Sequence, residues 1–168
     1  WVVVIVIGLL LLNEVLEETG IIRRVAFWFL TRKAAKKSPW GFTFMFLLSA
    51  FVVGFFLDVT AAQIFMLALA KEIFDIVGMK QEDKWTKVIT IGLSFTVIIT
   101  FAVTPICHTL PILFMGIYSA IAQTGINWLS YMLIAVPVGI IIWLAMYYFL
   151  KLVIKPDVSK LQKIDFSK

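Results

Sequence analysis

Two short runs hold the residue types best suited to chemistry. The first is Leu57-Asp58-Val59-Thr60, whose aspartate is the only charged residue between positions 42 and 70. The second is Thr104-Pro105-Ile106-Cys107-His108-Thr109-Leu110-Pro111. It puts two threonines, two prolines and the only histidine inside a stretch, 88–150, that has no charged residue. A carboxylate in apolar surroundings is costly and is usually kept for a proton, a cation or a charged partner. Each proline lacks an N–H and disfavours helix in the residue before it, which frees carbonyls for other ligands. Freed carbonyls suit a small cation, while the N-terminus of a restarted helix suits an anion. The hydroxyls of Thr60, Thr104 and Thr109 can serve either. Plainer readings stand beside these. Asp58 can pair with a basic residue, His108 can be a core histidine bonded to one carbonyl, and the prolines can be kinks in a continuous helix. Cys107 reads as small and inert. No CxxC, HExxH or GxxxxGK[ST] occurs, and one cysteine cannot form an internal disulfide.

The elements that must carry these runs follow from composition and charge. Hydrophobic residues make up 62% of the 168 and charged ones 15%, against about 45–50% and about 25% in soluble domains. Mean hydropathy is +1.02. These values exclude a soluble enzyme, a nucleic-acid binder and a disordered tail, and predict an all-α integral membrane protein. The net charge of +5 fits cytoplasmic loops rich in Lys and Arg. The chain opens at Trp1 inside an apolar run, without a basic leader, and is expected to be an internal piece of a longer protein.

Charge clusters at 14–37, 71–87 and 151–168 divide the chain. Each is rich in Lys or Arg, so all three are expected in the cytoplasm. The stretch 88–150 has room for two spans of about 20 residues each. Its polar loop at 122–127, between Tyr118 and Trp128, is the expected outer turn. The stretch 38–70 is too short for two such spans and too long for one, which predicts a re-entrant helical hairpin with Asp58 near its tip. The expected plan is a transmembrane helix end at 1–19 and an interfacial amphipathic helix at 20–37. The hairpin at 38–70 and a cytoplasmic connection at 71–87 follow. A broken transmembrane helix at 88–121, restarting at about Ile112, a final span at 128–154 and a cytoplasmic linker at 155–168 complete it.

These residues resemble a known family. Glu18-Thr19-Gly20 through Arg24-Val25-Ala26 is similar to the entry into the interfacial helix of the divalent anion:sodium symporter family, within the ion-transporter superfamily. The run Ser49 to Thr60 resembles that family's hairpin, with Asp58-Val59-Thr60 at its usual Ser-Asn-Thr tip. The run Thr104 to Pro111 resembles its TPIGTPPN helix break, and Asn127 through Gly139 resembles the span that follows. The resemblance implies a first inverted-repeat half of a secondary transporter, completed by a missing C-terminal repeat, working as a homodimer in the plasma or inner membrane as a multi-pass protein. It implies no organic cofactor and no nucleic-acid partner, with sodium as the coupling ion. Asp58, Val59, Thr60, Thr104 and Cys107 would hold the cation. Thr60, Thr104, Pro105, His108 and Thr109 would line the site of a dicarboxylate, tricarboxylate or sulfate.

The chain departs from the family at two places. Asp58 and Val59 stand where Ser and Asn are usual, and His108, Leu110 and Pro111 where Thr, Pro and Asn are usual. The Leu-Asp-Val-Thr tip is also similar to the LDNVT of sodium/proton antiporters and arsenite exporters. Cation-coupled anion symport is therefore the first expectation. An antiporter or oxyanion exporter, with Asp58 titrating, is the second, and a non-transporting membrane subunit the third. An enzyme is expected least, because one carboxylate and one histidine far apart in sequence make no catalytic set.

Overall fold

The computed structural model describes residues 18–32, 35, 38–106 and 108–156. Of the leading segment it also describes Val4, Ile7, Gly8, Leu11, Glu14 and Val15, all of them helical. Among the described residues every regular element is a helix. They are α1 (Ile21–Leu30), α2 (Pro39–Val53), α3 (Val59–Val77), α4 (Lys84–Val103), α5 (Thr109–Ala122) and α6 (Trp128–Phe149). A π-helical turn, Leu150–Ile154, extends α6. Two helices, α4 and the continuous run Trp128–Ile154, are long and apolar enough to cross a membrane.

Local chemistry sets the helix starts. Ser38 accepts the Gly41 N–H at 3.0 Å, with Pro39 in the first helical position, where its missing N–H costs nothing. Asp58 caps α3 and Asn127 caps α6 through the same kind of bond, to Thr60 and Leu129. Helix α3 closes on Gly78, whose φ of 69° is left-handed.

Helix α4 is the axis on which α2, α3 and α6 pack. Phe42 near the start of α2 and Phe74 near the end of α3 both lie against Trp85 at the start of α4, with centroids 6.1 and 5.7 Å away. The two arms are therefore antiparallel, with their open ends beside the N-terminus of α4. The Trp85 indole donates to Thr43 Oγ1 at 3.1 Å and is fully buried. Helix α6 runs antiparallel to α4. Its Trp143 donates to Thr96 Oγ1 at 3.1 Å, and its Tyr147 hydroxyl reaches the Trp40 carbonyl at 3.1 Å. Rings of Trp40, Phe44, Trp143 and Tyr147 pack edge and face around that contact. Lys84 and Lys87 begin α4 and Lys151 follows α6, so this aromatic end is also the basic end.

Helix α4 stays apolar outside while carrying many hydroxyls. Thr90, Ser94, Thr96 and Thr100 each donate back to a carbonyl of the preceding turn, which leaves Ser94 and Thr96 free to accept from Gln63 of α3 and Trp143 of α6. Thr86 Oγ1 is the one buried side-chain oxygen without a partner among the described residues.

Three boundaries differ from the expected plan. The interfacial helix α1 ends at Leu30 on the cap Thr31 rather than running to 37. Helix α3 does not stop near Ala70 but continues through Lys71, Glu72 and Asp75 to Val77. The connection shrinks to the turn at 78–83. Charge marks where a helix leaves apolar surroundings, not where its backbone bonds end, and Lys, Glu and Ile are acceptable helix residues. Pro111 was expected to close the break; it lies in the first turn of α5, which begins at Thr109 rather than near Ile112. A proline there sacrifices no intrahelical bond.

Candidate functional site

The hairpin tip and the interruption between α4 and α5 come together. Gly54, the C-cap of α2, sits so close to α4 that a Cβ on it would lie 2.3 Å from Thr100 Oγ1. Three residues further along α4, a Cβ on Gly139 would lie 2.2 Å from Val103 Cγ2. Gly139 is near the middle of α6, so the break just after Val103 lies at mid-height of that helix.

At the tip, α2 frays through bonds from Phe55, Phe56 and Leu57 back to Val52 and Val53. Leu57 is fully buried and Phe56 is exposed. Asp58 Oδ1 accepts the Thr60 N–H at 2.9 Å. The carboxylate thus sits at the partial positive charge of the α3 N-terminus. Oδ2 takes no bond from any described residue. Val59 is the first residue of α3 and half-buried, and the Thr60 side chain is exposed.

At the break, α4 ends because Thr104 turns extended (φ −130°, ψ 137°) before Pro105, as pre-proline residues do. Pro105 cannot donate to the Phe101 carbonyl. Ile106 N–H would continue the helix to Ala102, but it bonds Thr104 Oγ1 at 3.0 Å instead. The Tyr131 hydroxyl of α6 then takes the vacated Ala102 carbonyl. His108 is 1% exposed. Its Nδ1 lies 2.6 Å from the Ile106 carbonyl; a carbonyl only accepts, so Nδ1 carries hydrogen. The neutral ring then offers Nε2 as an acceptor. The imidazole packs on Phe101, with centroids 5.3 Å apart, and Asp58 is near enough to act on it electrostatically.

Four helix ends therefore meet at one height. The C-termini of α2 and α4 bring under-bonded carbonyls, and the N-termini of α3 and α5 bring under-bonded N–H groups. Thr104 and Pro105 are buried in this junction, whereas Thr109, at the first position of α5, is exposed. Cys107 lies outside the described residues. Among those described, no three of His, Cys, Asp and Glu gather, so the oxygens on offer are Asp58, the threonine hydroxyls and main-chain carbonyls. Sequence reasoning missed Gly54, Thr100 and Tyr131. Gly54 carried a faint signal, a small residue just before the tip, but the other two depend on register between helices.

No family model, curated protein or solved structure matches the chain.

Proposed function

We propose that the chain is one repeat of a secondary active transporter in the cell membrane. In this reading a cation, sodium, drives movement of a small anion such as a dicarboxylate, a tricarboxylate or sulfate. The observation that carries it is the meeting of four helix ends at mid-height of α6. Helix N-termini attract an anion, while C-termini and unwound carbonyls attract a cation. Such ends are tolerated at membrane depth only where protein buries them or they line a water-filled cavity. Asp58 Oδ2 and the carbonyls near Thr104 supply the cation ligands. Thr104, His108 and Thr109 with the α5 N-terminus face the anion, and a second repeat closes the exposed side of Thr60 and Thr109.

Uptake of labelled succinate, citrate or sulfate into proteoliposomes under a sodium gradient tests this. Asp58→Asn keeps the cap, since Asn caps as well as Asp, and removes the charge. Sodium-driven uptake is expected to fall by about tenfold or more, which corresponds to a loss of about 1.4 kcal/mol in cation binding. Unchanged uptake in this variant refutes the assignment of Asp58.

A second reading is favoured by one observation: Asp58, whose Oδ2 takes no bond from any described residue, stands at the same junction as the buried His108 imidazole. There the chain belongs to a cation/proton antiporter or oxyanion exporter, with Asp58 exchanging a proton for the cation. Sodium-dependent proton movement without anion uptake selects this reading over the first.

A further inference from the structure

Helix α1 carries a feature that the transport site does not use. Between Glu18 and Asp58 the sequence has Arg23, Arg24, Arg32, Lys33, Lys36 and Lys37 and no acidic residue. Among the described residues none of the three arginines forms an ion pair. Instead the Arg32 guanidinium lies 3.5 Å from the centre of the Trp28 ring, and that of Arg23 lies 5.6 Å from the centre of Phe27. Both rings are exposed, Trp28 at 54% and Phe27 at 41%, whereas Ala26 on the inner side is fully buried. Arg23, Arg24, Phe27, Trp28 and Thr31 line one shallow, open depression, and Arg32 reaches it only through its stack on Trp28.

This combination has a specific chemistry. A guanidinium stacked on a ring keeps its N–H edge free, and its fork matches two oxygens of a phosphate. The Thr31 hydroxyl donates to the Trp28 carbonyl at 3.0 Å, which leaves its lone pairs outward and the guanidiniums as the donors. The aromatic floor, with exposed Ile21 beside it, suits the apolar ester end of the same molecule. A free anion has no use for such a floor. We propose that this depression is a binding site for the phosphate of an anionic phospholipid headgroup, one that anchors α1 to the leaflet at the basic end. The proposal rests on the membrane reading above.

The test uses full-length protein purified in mild detergent and offered equal amounts of phosphatidylglycerol and phosphatidylcholine. Retained lipid is counted by native mass spectrometry. The wild type is expected to keep phosphatidylglycerol preferentially. R23Q/R24Q/R32Q is expected to lose that preference by about tenfold or more, because glutamine cannot replace the charged two-pronged pairing of guanidinium with phosphate. K84Q/K87Q/K151Q removes equal charge from the same end and is expected to keep the preference. Equal loss in that control reduces the effect to general surface charge and overturns the site. No preference in the wild type overturns it too, as does displacement of the lipid by an equal concentration of inorganic phosphate. A protein that stays in solution without detergent overturns the membrane reading together with the site.

Discussion

Asp58 holds two positions at once, as the cap of α3 and as the charged group of the junction that also holds His108. Its substitutions separate the two. Asp58→Ala removes the cap and is expected to cost about 1 kcal/mol of stability, while Asp58→Asn costs little. Thermal unfolding in detergent reads the difference, and uptake reads the charge. Tyr131→Phe tests the other end of the junction. It strips the Ala102 carbonyl, which is exposed, of its hydroxyl donor and is expected to destabilise the chain by about 0.5–1.5 kcal/mol, the net worth of one hydrogen bond. No loss in unfolding temperature shows that water or the helix takes over. At this scale Asp58 and His108 were legible because a carboxylate and an imidazole stand out in a run without other charges. Tyr131 was not, because a tyrosine near a helix start looks like any interfacial aromatic. Its role depends on α6 returning beside the end of α4.

Among elements, bare backbone controls how closely helices approach. Gly54→Ala pushes a Cβ into Thr100 and is expected to cost about 1–3 kcal/mol, as overpacking does. Thr100→Ala in the same chain should restore part of the loss, and a double-mutant cycle measures how much. Pro105→Ala returns an N–H to the Phe101 carbonyl. It is expected to extend α4 by about one turn, close the junction and abolish uptake while leaving the unfolding temperature unchanged or raised. Uptake equal to wild type shows that the break is not needed. The number and order of helices could be read from the spacing of charges and prolines. Their ends could not. The cluster beginning at Lys71 looked like a loop, yet α3 runs through it, and Pro111 looked like a breaker but stands in a first turn. In both cases the backbone hydrogen bonds, which charge and proline content only indirectly report, decided the outcome.

For the whole molecule, the composition that excluded a soluble domain also yields the simplest check. The chain is expected to stay with the membrane fraction through alkaline carbonate washing and to need detergent for release. Recovery in the wash refutes membrane insertion. The contacts along α4 are uneven in a way that bears on movement. At the basic end α2, α3, α4 and α6 are held through the wide rings of Trp40, Phe42, Phe74, Trp85, Trp143 and Tyr147. At the far end Gly54 meets α4 with no side chain to interlock, while Phe51 one turn earlier still packs on Trp143, with ring centroids 5.6 Å apart. Helix α2 therefore resembles one arm of a pair of tongs, with a broad pivot and a smooth point. Its 15 residues make an arm about 22 Å long. A tilt of about 5° at the pivot moves the point of such an arm by about 2 Å.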